Sequence, residues 1–232
     1  MPDNVKLLNI NYVNGATPIL KKVNLEIFPG DIVFIIGRSG HGKSTLLELC
    51  AGLLEPTSGS VLWDDTDIKT FSKKELLDKR RSIGFVFQLH ALISNHTIFD
   101  NIALPLRSRK GYNEKSIRAK VHLLMEELSL FNVDGLFPEA LSSRQLKTAS
   151  IARALIGDPD LLFLDEPISG IDPISASGIM NVLYKYKKQK NVTIVMTHND
   201  NNVWQDFETR NFALESGMLL PWTEAPLNKG LY

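Results

Sequence analysis

The sequence predicts an α/β fold built around a mainly parallel sheet, on three observations. Asp31-Ile32-Val33-Phe34-Ile35-Ile36 is a short apolar run of buried-strand length. It leads through a glycine-rich loop into a helix-forming stretch, Ser44-Thr45-Leu46-Leu47-Glu48-Leu49. Two further apolar runs, Leu161–Leu164 and Val192–Thr197, flank a helical segment, and strands that alternate with helices imply parallel pairing. Between these, roughly residues 89–157 carry helical spacing, so a helical block is set inside the α/β frame. Sheets of this kind take their ligands at the carboxyl ends of the strands.

The elements follow in order. Val5–Ile10 and Val23–Phe28 read as strands joined by the turn-rich Asn14-Gly15-Ala16-Thr17-Pro18, an antiparallel β portion at the start. After the glycine loop and its helix, Pro56-Thr57-Ser58-Gly59 turns into a short strand at Ser60–Trp63. Ser72-Lys73-Lys74-Glu75 is a capping box that opens a helix toward Arg80, and Ile83–Phe87 is another apolar strand. Ile117, Val121, Leu124, Met125 and Leu128 recur at helical spacing, and Ser142 to Ile156 again reads as a helix. After strand Leu161–Leu164, Asp172 caps a helix with Pro173 in its first turn. A last strand lies near Asn211–Leu214. The expected organisation is one domain over 1–232, its α/β core spanning about 1–88 and 158–232 and its helical subdomain about 89–157.

Composition narrows the function classes. With 232 residues, 44% of them hydrophobic and 22% charged, the chain has ample material for one core. Lys+Arg and Asp+Glu both total 26, so the basic excess of a general nucleic-acid binder is missing. The single cysteine, Cys50, cannot form an internal disulfide, which fits a reducing, cytoplasmic setting. No apolar run reaches the ~18 residues of a membrane span, and Met1-Pro2-Asp3-Asn4 does not read as a signal peptide. A membrane role is therefore expected to come through a partner.

The chemistry is concentrated in two places. Gly37-Arg38-Ser39-Gly40-His41-Gly42-Lys43-Ser44-Thr45 fits G-x-x-x-x-G-K-[ST], a phosphate-binding loop, and it stands between strand and helix as that loop must. Glycines let successive backbone N–H groups turn inward around a polyphosphate, and the helix N-terminus adds partial positive charge. Lys43 would reach the β- and γ-phosphates, and the Ser44 hydroxyl would sit on Mg²⁺. The second place is Leu161-Leu162-Phe163-Leu164-Asp165-Glu166, four apolar residues followed by two acids. On a buried strand the first carboxylate emerges at the sheet edge, where Asp165 can hold Mg²⁺ through water and Glu166 can orient or deprotonate an attacking water.

With these residues the chain resembles the ABC ATPases, P-loop NTPases that bind ATP with Mg²⁺, and the resemblance covers nearly all of it. Further stations of that family appear in order. Tyr12 lies about where an aromatic stacks on adenine. Gln88, closing Phe85-Val86-Phe87-Gln88, matches the glutamine that joins the metal site to the helical lobe. Ser169-Gly170-Ile171-Asp172 matches the loop that crosses to a partner subunit, and His198 matches the switch histidine on the γ-phosphate. His41, within the loop, is expected to border the phosphates, and His41, His90, His96 and His122 form no metal-ligand cluster.

One station departs. The family's Leu-Ser-Gly-Gly-Gln signature, which serves the opposite subunit's ATP, here reads Leu141-Ser142-Ser143-Arg144-Gln145, ending 20 residues before Asp165. Leu146-Lys147-Thr148 also lacks the arginines often found just after it. If either lost glycine needs a positive φ, a side chain there costs about 1–2 kcal/mol. Arg144 adds bulk, although a guanidinium can itself bind phosphate.

Phe99-Asp100-Asn101-Ile102-Ala103-Leu104-Pro105-Leu106, Phe137-Pro138-Glu139-Ala140-Leu141 and Gly170-Ile171-Asp172-Pro173-Ile174 look most like the Mla/Mce-type ATPases of phospholipid transport. Similar phrases occur in methionine-importer, lipoprotein-release and FtsE-type cassettes. The stretch Pro221-Trp222-Thr223-Glu224-Ala225-Pro226 is too short for an appended regulatory domain.

The resemblance implies a cytoplasmic ATPase subunit at the inner face of the membrane, paired with a second, identical or different, cassette. It would dock on an integral membrane permease through Gln88–Asn101. The alternative is a regulatory or scaffolding cassette that binds ATP and scarcely hydrolyses it. A soluble DNA-repair or translation cassette is disfavoured by the lack of a coiled coil or basic arm.

Overall fold

In the computed structural model, residues 4–198 and 209–222 are described; Met1–Asp3 and the tail from Thr223, both read above from sequence, lie outside them. Two sheets organise the chain. Strands β1 (Val5–Asn14), β2 (Thr17–Ile27), β4 (Ser58–Trp63) and β5 (Thr66–Asp67) form an antiparallel sheet in the order β2-β1-β4-β5. The second sheet contains β3 (Ile32–Ile36), β6 (Ile83–Val86), β7 (Leu161–Asp165), β8 (Thr193–His198), β9 (Arg210–Glu215) and β10 (Met218–Pro221), in the order β10-β9-β3-β8-β7-β6. Its pairs from β9 to β6 are parallel, and only β10 runs against its neighbour. The mainly parallel core and the antiparallel β portion are as the alternation predicts.

Strand alternation divides the interior in two. Val33, Ile35, Leu161, Phe163 and Val195 face a core shared with the antiparallel sheet and helix α1 (Lys43–Cys50). Phe34, Leu162, Leu164, Ile194 and Met196 face the other core, where the helices pack. The side-chain period of 2 makes that split, and burial on both faces explains why the middles of these strands are apolar. The helices are α2 (Lys73–Arg80), α3 (Ile98–Arg107), α4 (Glu114–Glu127), α5 (Ser143–Leu155) and α6 (Pro173–Lys190). Helices α3 to α5 lie between β6 and β7 in the chain, and Ile102, Leu106, Val121, Leu124, Ile151 and Leu155 close their interior.

The caps match the sequence signals. Ser72 and Glu75 form a reciprocal capping box at α2, and Asp172 accepts from the Ser175 N–H with Pro173 at the first position of α6. Boundaries shift in two places. The first hairpin is tighter than its turn-rich sequence suggests, because both strands continue to Gly15-Ala16 and Pro18 sits inside β2. That is tolerable because β2 is an edge strand, where a missing N–H breaks no ladder. Likewise Ser58 and Gly59 already belong to β4. A Cβ at Gly59 would come within 2.5 Å of the Leu8 and Asn9 carbonyl oxygens, so the close strand approach, not a turn, explains this glycine.

Candidate active site

Register builds the site. Ile36 pairs with His198, Asp165 with Thr197, and Val86 with Leu164, so four parallel strands end at one edge and the loops after them meet there. The phosphate-loop pattern occupies the turn from β3 into α1. Gly42, the residue before the helix, has φ 98°, and a Cβ on it would lie 2.9 Å from Ile19 Cγ2. A Cβ on Gly37 would lie 2.5 Å from the Leu214 carbonyl oxygen. Both positions admit glycine alone, one by conformation and crowding, the other by crowding. Arg38, Ser39 and Gly40 form the exposed rim, while Ser44 and Thr45 stand in the first turn of α1. His41 is half-buried, with Nδ1 3.3 Å from the Leu214 carbonyl oxygen.

Lys43 is buried, at 4% exposure, and its ammonium is held by both the loop and the second acid of β7's end. It donates to the carbonyl oxygens of Gly37 (2.8 Å) and Arg38 (3.2 Å) and forms an ion pair with Glu166 Oε1 at 3.2 Å. The other oxygen of Glu166 accepts from Gln88 Nε2 at 3.3 Å. Lys43, Gln88 and Glu166, which lie far apart in the chain, are thus in direct contact.

Beneath them Thr197 joins the two acids. Its hydroxyl donates to Asp165 Oδ1 at 2.7 Å and accepts from the Glu166 N–H at 3.0 Å. Asp165 and Glu166 are both nearly inaccessible. Glu166 adopts a left-handed φ of 47°, uncommon for a side-chain-bearing residue and doubly so before a proline, Pro167. Such conformations persist only where surrounding contacts hold them. Nearby on α1, Glu48 is held above the ordinary glutamate range by burial and then by the Asp165 charge.

His198 ends β8 beside the loop, and its carbonyl oxygen lies 3.4 Å from the Gly37 nitrogen. Tyr12 pairs with Leu20 across β1 and β2, and Leu20 packs under Gly42. Tyr12 therefore lies one strand away from the loop. The signature residues stand apart. Ser142 caps α5 and exchanges hydrogen bonds with Gln145, while Ser143 and Arg144 fill the first helical turn on the surface. Neither Ser143 nor Arg144 has a positive φ, so the backbone strain anticipated for the lost glycines does not arise. What the two substitutions change is bulk and charge, with Arg144 close enough to Asp172 to help hold its carboxyl low, after the Ser175 hydrogen bonds.

The segment after Gln88 is anchored from two sides. The fully buried Asn101 accepts from the Ile93 N–H at 2.7 Å and donates to the carbonyl oxygens of Ile93, His96 and Thr97. From α5, Ser150 and Arg153 both donate to the His90 carbonyl oxygen, and Arg153 also to that of Ala91. Beside this segment a groove of about 410 Å³ is lined by Phe85, Phe87, Ala91, Ile93, Leu104 and Arg109, among others. Asn101, Thr197 and Lys147 were not singled out for these roles by sequence. An asparagine followed by the apolar run at residues 102–106 is a signal that could have found the first; the other two carry none.

Known proteins share this fold. The profile described as ABC transporter matches residues 20–169. The methionine import ATP-binding protein MetN of Clostridioides difficile (strain 630) is 36% identical over 216 residues, 93% of this chain and 67% of the relative. The intermembrane phospholipid transport system ATP-binding protein MlaF of Haemophilus influenzae (strain ATCC 51907 / DSM 11121 / KW20 / Rd) is also 36% identical, over 84% of this chain and 74% of its own. MetN of Vibrio vulnificus (strain YJ016) reaches 40% over 83% of this chain, which spans only 58% of that relative's length. A dimeric structure of MJ0796, a bacterial ABC transporter cassette, superposes with a TM-score of 0.86 at 32% identity, covering 93% of this chain and 96% of that one. The post-hydrolysis MJ0796 dimer bound to ADP and Pi gives 0.85 at 33%, with the same coverage. The chain belongs to the ABC transporter family, as an ATP-binding cassette with ATPase activity.

Proposed function

We propose that this cassette hydrolyses ATP to drive a membrane permease, with Glu166 as the group that prepares the attacking water. The observation that carries the reading is the contact of Glu166 with both Lys43 and Gln88 at the foot of the glycine loop. The ammonium of Lys43, held on two loop carbonyls and one carboxylate, is in place to exchange those partners for β/γ-phosphate oxygens. That exchange frees Glu166 Oε1 to accept a proton from water, while Gln88 keeps the other oxygen oriented. His198, at the end of the adjacent strand, would contact the γ-phosphate.

The residues present fit Mg²⁺. Ser44, Asp165 and the Gln88 side-chain amide oxygen are all hard oxygen donors, the kind that Mg²⁺ prefers. Mg²⁺, when bound there, neutralises charge on the β- and γ-phosphates. Thr197 restrains Asp165 through one carboxylate oxygen and leaves the second for a coordinated water.

ATP would be closed in by a second cassette, whose signature faces this chain's loop while Ser142–Gln145 face the partner's nucleotide. Ser143 and Arg144 favour a second reading, a cassette that binds ATP and turns it over slowly; the Lys43–Glu166 contact favours hydrolysis. For the permease, the docking surface is Leu89–Asn101 with the adjoining groove. Among the described residues no helix is long and apolar enough to cross a membrane, and Leu89 is 87% exposed directly beside Gln88. As cargo we propose phospholipid, supported by the MlaF likeness and by the phrases around Asp100, Glu139 and Asp172; the MetN likenesses support methionine import instead. Cross-linking from Leu89–Asn101 in native membranes, followed by identification of the captured protein and its co-purifying lipid, tests both parts. An integral membrane protein is the expected product. Capture of soluble proteins alone would overturn the permease assignment.

A further inference from the structure

Lys147 lies on α5, two residues past the signature, yet its side chain points into the protein and is only 5% exposed. Burial holds its ammonium below the ordinary lysine range, against the opposing pull of the Glu166 and Asp165 charges. The ammonium donates to the Glu166 carbonyl oxygen at 2.7 Å and to that of Ser169 at 2.9 Å. These two carbonyls bracket a single turn, because the Ser169 N–H also donates to the Glu166 carbonyl oxygen at 3.2 Å. One lysine therefore clips both ends of the turn that leaves β7.

The turn begins at Glu166, whose backbone is left-handed with φ 47°. An L-residue in that conformation needs outside contacts to stay there. Two are visible: Thr197 holds the Glu166 N–H, and Lys147 holds the Glu166 carbonyl. With both ends of the residue fixed, the Glu166 side chain is directed at Lys43 and Gln88. The turn also leads into Ser169-Gly170-Ile171-Asp172, the segment matched to the loop that crosses to a partner.

We propose that Lys147 is a positioning residue for hydrolysis, which clips the 166–169 turn to the signature helix and so sets the Glu166 carboxylate. Lys147 touches no reacting atom; it acts through the Glu166 backbone. Any shift of α5 as Ser142–Gln145 meet the partner's nucleotide is passed to this chain's own Glu166 through that clip. The inference rests on the assignment of Glu166 to water activation.

The test uses the full chain and compares Lys147→Met, which keeps length and removes the donors, with Lys147→Arg, which keeps a cation with several donors. ATP affinity and turnover are measured separately. Lys147→Met should bind ATP within about twofold of wild type while kcat falls at least about tenfold, the lower part of the range for misplacing a catalytic group. Lys147→Arg should recover most of that loss. In the Glu166→Gln background, Lys147→Met should cost no further rate, since the group it positions has already lost its function. Where Lys147→Met does not fold, Lys147→Gln replaces it, with a fall in kcat of at least about fivefold at unchanged affinity expected on the same argument. A wild-type kcat in either variant overturns the proposal, as does a rate loss that multiplies with that of Glu166→Gln. A wild type no faster than Lys43→Ala would instead overturn the hydrolytic reading, and the role of Lys147 with it.

Discussion

Glu166 gathers more of the site than any other residue. Its carboxylate meets Lys43 and Gln88, its N–H meets Thr197, and its carbonyl oxygen meets Lys147. The pair with Lys43 is nearly inaccessible, with side-chain exposures of 4% and 6%. Removing one member of such a pair leaves an uncompensated buried charge, a loss of roughly 3–5 kcal/mol. Lys43→Ala should therefore act twice, by removing the phosphate's counter-ion and by leaving Glu166 facing that phosphate with like charge. ATP affinity of the isolated subunit should drop by at least about 10²-fold, within the usual range for removing one partner of a buried charged contact in a complex. Unchanged affinity would place the nucleotide elsewhere.

At this scale the sequence was legible where a residue's role depends on its immediate neighbours. The glycine loop and the Asp165-Glu166 pair are of that kind, because a strand of unbroken apolar residues leaves no doubt about where it reaches the sheet edge. Thr197 and Lys147 depend on partners across the fold. A threonine at a strand end and a lysine in a helix look the same with or without a carboxylate or a strained turn opposite.

Among the elements, the buried parallel strands were the easiest to read, because both of their faces are covered and the apolar run is continuous. Strands β5 and β10 escaped notice: one is two residues long, and the other is a mostly exposed run of four, too short to show alternation. The start of α5 was legible from Ser142 and Gln145 as a cap, but the helical φ of Ser143 and Arg144 was not, since a Gly-Gly motif leaves open a positive φ that these residues do not adopt.

A clamp between elements gives a pH-dependent prediction. Asp158, just past α5, receives hydrogen bonds from Lys120 on α4 and Lys190 on α6. Burial, its largest single influence, pushes the carboxyl up, but the hydrogen bonds and charges of the two lysines outweigh it and leave it below the ordinary 3.8. A depressed folded-state value means that the folded protein binds fewer protons than the unfolded chain in this window. The clamp's contribution is thus complete above about pH 4 and is lost as pH falls through the folded-state value. With Asp158 37% exposed, screening keeps it under about 1 kcal/mol. Asp158→Asn should flatten this part of the stability profile in urea titrations between about pH 3 and 5 and leave neutral-pH turnover intact; an unchanged acid limb would show that the clamp does not contribute.

For the molecule as a whole, the proposed function has the two ends of its chemistry serve different nucleotides in a closed pair. Lys43 and Glu166 would act on this chain's own ATP, whereas Ser143 and Arg144 would meet the partner's. A homodimer carries the altered signature at both sites; a heterodimer with a Gly-Gly partner leaves this chain's ATP facing an unaltered one. Because the altered residues bring bulk without backbone strain, Ser143→Gly with Arg144→Gly should raise both ATP-dependent dimerisation and turnover of the purified subunit. Sedimentation and steady-state hydrolysis would register both. Loss of activity in the double variant would show Arg144 to be a working phosphate ligand.

All of this depends on Glu166 preparing the water, and single-turnover hydrolysis by Glu166→Gln in the assembled transporter tests that most directly. The amide keeps the shape and can still meet Gln88, but it cannot take a proton. The account predicts ATP binding close to wild type with hydrolysis slowed by at least about 10²-fold, the usual scale for losing a general base. A near-normal rate would contradict it.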